Sequence, residues 1–220
     1  MPLPLRNKPA ARANNGRLAG RRGFTLVELM VVVIIIAIVS ALAIPVIGKQ
    51  LRERRIHQGA QEIAIAYRNG RSLAMARGAA VLVRFDPPNG GIIVREAVQG
   101  GACPDLPATQ CNRTTVGDWD TAGLFEPVTG VNPGRYSQPG APVVFEARDP
   151  GGANVAFLDV CFTPLGRAFF RQSAASTFQP LTGVPQVDVY RGAVGAPMGV
   201  VRTISILPTG AARVSTRALP

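Results

Sequence analysis

Few residues in this 220-residue chain have the type and spacing to do chemistry. There is one histidine, His57, and three cysteines, Cys103, Cys111 and Cys161. A single histidine leaves little scope for imidazole metal sites or a His general base. The cysteines lack a C-x-x-C pair, which argues against a zinc site. Cys103 and Cys111 enclose seven residues and would form a disulfide in an oxidising compartment. Cys161 then reads as a buried free thiol in an apolar strand. Acids are scattered through 86–159 without a pairing for acid–base work. Neither G-x-x-x-x-G-K-[ST], G-x-G-x-x-G, G-x-S-x-G nor H-E-x-x-H occurs. The expectation is a protein without catalytic residues, metal or cofactor, and not an enzyme.

The informative acid is Glu28. It is the sole charge in 24–48 and borders nineteen uncharged residues, Leu29 to Ile47. About 20 apolar residues span a bilayer as helix, and in lipid the backbone must satisfy its own hydrogen bonds. Pro45 removes one helical hydrogen bond near the end of the run. A carboxylate costs roughly 2.5–3.5 kcal/mol at a membrane-helix centre and less at its edge, so Glu28 asks for a partner. Of the net charge of +11, residues 1–23 contribute +6 and contain no acid. That bias holds the amino terminus in the cytoplasm and places the rest outside. Residues 49–77 add +5, 78–159 take away 4, and 160–220 add +5. Two bland readings of the apolar run are a plain signal anchor and a signal peptide cut after Ala41-Leu42-Ala43. The latter would be 43 residues long, against the usual 15–30 or so.

A third reading comes from the junction Arg21-Arg22-Gly23-Phe24-Thr25-Leu26-Val27-Glu28-Leu29. It resembles the cleavage and methylation motif of type IV prepilins, shared by pilins and the pseudopilins of type II secretion. The resemblance implies a cut between Gly23 and Phe24 by a prepilin peptidase, then methylation of the Phe24 amine. It gives Glu28 an assembly role, facing that amine on a neighbouring subunit. An ion pair of this kind adds little net stability but can fix registry.

These residues need elements to carry them. Beyond Lys49, apolar or small residues recur at Ile56, Ala60, Ile63, Tyr67, Gly70 and Ala74, one face of a helix. Gly59 and Gly70 weaken that helix by about 1 kcal/mol each. The basic residues off this stripe read as a solvated face, with contact to anionic lipid as the sharper option. After Gly78 come short apolar runs at 80–86, 91–97, 143–147, 154–162, 167–171, 186–191, 200–207 and 211–216. Asp86-Pro87-Pro88-Asn89-Gly90, Thr163-Pro164-Leu165-Gly166 and Leu207-Pro208-Thr209-Gly210 read as turns between them. The stretch 98–142, with Trp119, reads as a long Gly/Pro-rich loop. The expected fold is α+β: a long amino-terminal transmembrane helix packed on an antiparallel β-sheet or sandwich. Its segments are a leader (1–23), an assembly helix (24–48), a periplasmic half-helix (49–78) and a β-rich domain (79–220).

Arg71-Ser72-Leu73-Ala74-Met75-Ala76-Arg77-Gly78 and Phe162-Thr163-Pro164-Leu165-Gly166 resemble the GspH/FimT branch of pilin-like proteins. The branch implies a minor pilin or pseudopilin of a type IV pilus or secretion filament. Its partners would be other pilins, the prepilin peptidase and the inner membrane, with the globular part in the periplasm. Some FimT-like relatives take up DNA through Gly-Arg-x-Arg; Gly210-Ala211-Ala212-Arg213 lacks the first Arg. A DNA-binding tip subunit is therefore an alternative, resting on a basic patch of Arg202, Arg213 and Arg217.

Overall fold

The computed structural model describes residues 23–86, 91–98, 111, 119–121, 124–140 and 142–218. It shows a long apolar amino-terminal helix followed by antiparallel sheets, an α+β layout. The chain divides into two units, one ending at Ile47 and one beginning at Gly48. Helix α1 (Leu26–Arg77) contributes to both. The leader and the turn residues Pro87–Gly90 lie outside the described residues.

In the first unit every apolar side chain from Leu26 to Leu42 that carries more than a methyl group stands exposed, from 46% at Val32 to 82% at Leu26. None of the described residues of this unit buries them, so the helix keeps its hydrogen bonds internal and offers its apolar surface outward. Among the described residues α1 is the one helix long and apolar enough to cross a membrane.

In the second unit the helical stripe is buried: Ile56, Ala60, Ile63, Tyr67 and Ala74 are at most 5% exposed. Gly70, which costs helix propensity, earns its place by packing. A Cβ there would stand 2.9 Å from Val83 Cγ2, so the missing side chain lets α1 approach the sheet closely.

The first sheet runs β3 (Phe125–Val131), β2 (Gly91–Ala97), β1 (Val81–Asp86), β6 (Leu158–Phe162), β7 (Ala168–Arg171), β8 (Gln179–Pro180). The second runs β11 (Ala212–Ala218), β10 (Ala196–Ile206), β9 (Gln186–Ala193), β4 (Val143–Arg148), β5 (Asn154–Val155). All strand pairs are antiparallel. One continuous core joins the helical stripe to the inner faces of both sheets, with Val83, Phe85 and Phe162 from one and Phe145, Val189 and Ile204 from the other.

Two expectations need correction. The stretch 98–142 is not loop throughout, since it contains β3 and a 3-10 turn at Pro133–Arg135. Pro127 lacks an amide donor, which an edge strand tolerates, and a bulge at Val128 absorbs the irregularity. The run 154–162 is two strands in different sheets, β5 on β4 and β6 on β1.

The hairpins close as expected. Gly166 N–H donates to the Thr163 carbonyl at 2.9 Å and Gly210 N–H to that of Leu207 at 2.7 Å. Both glycines have φ near +75°, the left-handed conformation that follows a type I turn in a three-residue hairpin.

Candidate functional site

Gly23, Phe24 and Thr25 precede the first helical residue, and Phe24 is 79% exposed. The bond between Gly23 and Phe24 therefore lies in accessible, non-helical backbone. Ala41-Leu42-Ala43, by contrast, sits inside the helix. Thr25 caps the helix: its Oγ1 accepts from the Glu28 N–H at 3.2 Å, and its carbonyl accepts from the Leu29 N–H at the same distance. Thr25-Leu26-Val27-Glu28 thus has the T-x-x-E spacing of a capping box. Glu28 also stands in the first turn, where the helix dipole favours negative charge. This local role of Thr25 and Glu28 was readable from the spacing and was missed. Hydrolysis after Gly23 would free an amine one residue before the cap, and that amine would be charged at neutral pH. Arg21, Arg22 and the rest of the leader lie outside the described residues.

The disulfide differs from expectation. Cys111 is bonded to Cys161, not to Cys103, across a Cα–Cα distance of 5.9 Å. Cys103 lies outside the described residues, and Cys161 is not a free thiol. The reason is register: Cys161 on β6 stands opposite Leu82 and Phe169, on the outer face of the first sheet. The returning chain lays Cys111 and Trp119 over that same face, where they pack with Leu82 and Phe178. The Trp119 indole N–H donates to the Cys111 carbonyl at 3.2 Å.

Beside the disulfide, the next cross-strand row is charged. Asp159 accepts from Arg84 through both oxygens, at 2.8 and 3.0 Å, and from Arg171 Nε at 2.8 Å. Asp120, on the returning chain, pairs with Arg84 and with Arg95. Burial alone would raise the Asp120 carboxyl, but Arg84 and Arg95 outweigh it and hold it below its ordinary value. The Arg84, Arg95 and Arg171 guanidiniums each lie over a phenylalanine ring, of Phe157, Phe125 and Phe178. Charge balance and ring contact together let three arginines sit on a largely covered face.

The candidate DNA patch is split. Arg213 and Arg217 share the outer face of the second sheet, whereas Arg202 has the parity of the core-facing Ile204 and Ile206. Arg217 stands 3.8 Å from Asp188, which Arg148 also contacts at 2.6 Å. Arg171 is buried on Asp159. A continuous phosphate-tracking stripe does not form from these residues. His57 is exposed on α1.

Residues 18–44 match the family model described as a prokaryotic N-terminal methylation motif. No curated protein and no solved structure gives a significant match. The matched segment contains Gly23, Phe24 and Glu28 and most of the uncharged run, which supports a type IV pilin-like, membrane-anchored protein processed by a peptidase.

Proposed function

We propose that this chain is a minor pilin or minor pseudopilin, a subunit of a type IV pilus or type II secretion filament. Its leader is cut after Gly23, the Phe24 amine is methylated, and the helix from Leu26 to Ile47 joins a helical bundle. Glu28 meets the Phe24 amine of a neighbour and sets registry. The globular part lies in the periplasm before assembly. The protein is a substrate of processing enzymes rather than an enzyme.

The observation that carries this reading is the conjunction at the amino terminus. A methylation-motif match over residues 18–44 coincides with a helical segment, Leu26 to Leu42, whose large apolar side chains are all exposed. Neighbouring helices or lipid must cover that surface, since exposed apolar area of this extent marks an interaction site. The minor-subunit assignment is supported by Arg71–Gly78 at the helix end and by the Phe162–Gly166 hairpin. Loss of the leader also removes six of the eleven net positive charges. Most of the apparent nucleic-acid signal would leave with it.

Amino-terminal mass spectrometry of the membrane-extracted protein tests the proposal. The expected start is an N-methylated Phe24. An intact Met1, or a start at Ile44, overturns it.

A further inference from the structure

Several arginines of the globular unit face a carboxylate, among them Arg77, Arg84, Arg95, Arg148, Arg171 and Arg217. Arg54 and Arg202 do not. Among the described residues neither has an acid within salt-bridge distance, and Arg202 spends one N–H on the Thr216 hydroxyl. The two line one recess of about 380 Å³ together with Gln50, Glu53 and His57. Gln50, Glu53, Arg54 and His57 follow the i, i+3, i+4, i+7 spacing that brings helical side chains to one face. Arg202 comes from β10, so the recess is built from two elements about 150 residues apart in sequence.

Its composition states what it could hold. Two guanidiniums present forked donors suited to phosphate oxygens. The Gln50 amide and the His57 ring add further donors. Glu53 is the carboxylate of the lining, so it suits a ligand that carries a charged or hydroxyl donor as well as an anion. Gln50 is the third residue after Ile47, the end of the uncharged run. Residues that directly follow a membrane-length apolar run meet the headgroup layer when that run spans a bilayer.

We propose that this recess binds the headgroup of a phospholipid, its phosphodiester on Arg54 and Arg202 and its hydroxyl or ammonium on Glu53. The proposal rests on the membrane-anchored reading for the source of its ligand, and it assigns Arg202 a role apart from DNA. Phosphatidylglycerol and phosphatidylethanolamine carry the required donor. Phosphatidylcholine does not.

Native mass spectrometry of the full chain in a neutral detergent, with each lipid added in turn, tests this. Phosphatidylglycerol and phosphatidylethanolamine should be retained over phosphatidylcholine. The R54Q/R202Q double variant should lose roughly tenfold of that retention, the worth of one or two charged hydrogen bonds. R202K should recover part of it, which separates lost charge from lost folding. R213Q, on the opposite face of the same sheet, should bind as the parent does. Equal retention by the parent and the double variant overturns the site. Equal retention of phosphatidylcholine overturns the role of Glu53. Displacement of lipid by millimolar inorganic phosphate shows a free-phosphate site and overturns the lipid assignment. The Phe24 start is read from the same spectra, so failure here is distinguishable from failure of the filament reading.

Discussion

The two sheets of the globular unit share a core but cover their outer faces to different extents. The outer face of the first is covered by Cys111, Trp119 and Phe178 and carries a charged row on β1, β6 and β7. The outer face of the second exposes Arg213, Ser215 and Arg217, with Asp188 buried beside Arg148 and Arg217. Strand sequences record the difference. β1 is buried on five of its six residues, whereas β4 alternates between buried and half-buried. A sheet face that must hide arginines needs paired carboxylates, because an uncompensated buried charge costs several kcal/mol. The second face hides one carboxylate, Asp188, which Arg148 and Arg217 offset, and leaves its outer row exposed.

That contrast sets a ladder of expected effects, each measured by chemical denaturation in detergent with the lone Trp119 as fluorescent reporter. Asp159→Asn should cost about 3–5 kcal/mol, since it strands Arg84 and Arg171 beneath the cover. An effect under about 1 kcal/mol would mean that the first sheet's outer face is wet like the second's. Replacing Cys111 and Cys161 by Ala should cost about 2–4 kcal/mol, because the bond closes a loop of 50 residues in the unfolded chain. Reduction of the parent should produce the same loss, and Cys103→Ala should not. On the shared inner side, Gly70→Val should cost about 1–3 kcal/mol through overpacking against Val83.

Acid should act on the first sheet through Asp120. Its folded value is depressed, so its contribution is present above the ordinary carboxylate value of about 3.9 and is lost as pH falls through the folded one. Trp119 fluorescence followed from pH 5 downward should therefore change less in Asp120→Asn than in the parent. The smallest effect belongs to the open face: Arg213→Gln should stay within about 0.5 kcal/mol. A larger loss would show that the second sheet's outer face is less open than its exposure indicates.

How far the sequence could be read follows from the same physics. The stripe from Ile56 to Ala74 was legible because a helix between core and solvent repeats every three to four residues. Runs such as Ala80–Asp86 and Val200–Leu207 were legible because β-branched residues cluster between Pro–Gly turns. β3 was not, because Phe-Glu-Pro-Val-Thr-Gly-Val is an exposed edge strand with neither alternation nor a central apolar run. The division of 154–162 was hidden because Ala156 and Phe157 continue an apolar pattern while the chain changes sheets. The cysteine pairing was hidden more deeply. Cys103 is near Cys111 in sequence, but cross-strand position, which no local spacing encodes, brings Cys161 to Cys111. At the amino terminus the processing residues were legible from their spacing, and so was the T-x-x-E cap that went unread.

The grip on the second half of α1 has a mechanical side. Arg68 Nε and Nη2 both donate to the Ala212 carbonyl, at 3.0 and 2.6 Å, the Gly70 notch seats Val83, and Arg77 meets Glu96. These contacts are spread along the side of the helix rather than gathered at its tip. A pull along the helix axis would load them in parallel, as shear, so that no single one has to carry the tension alone.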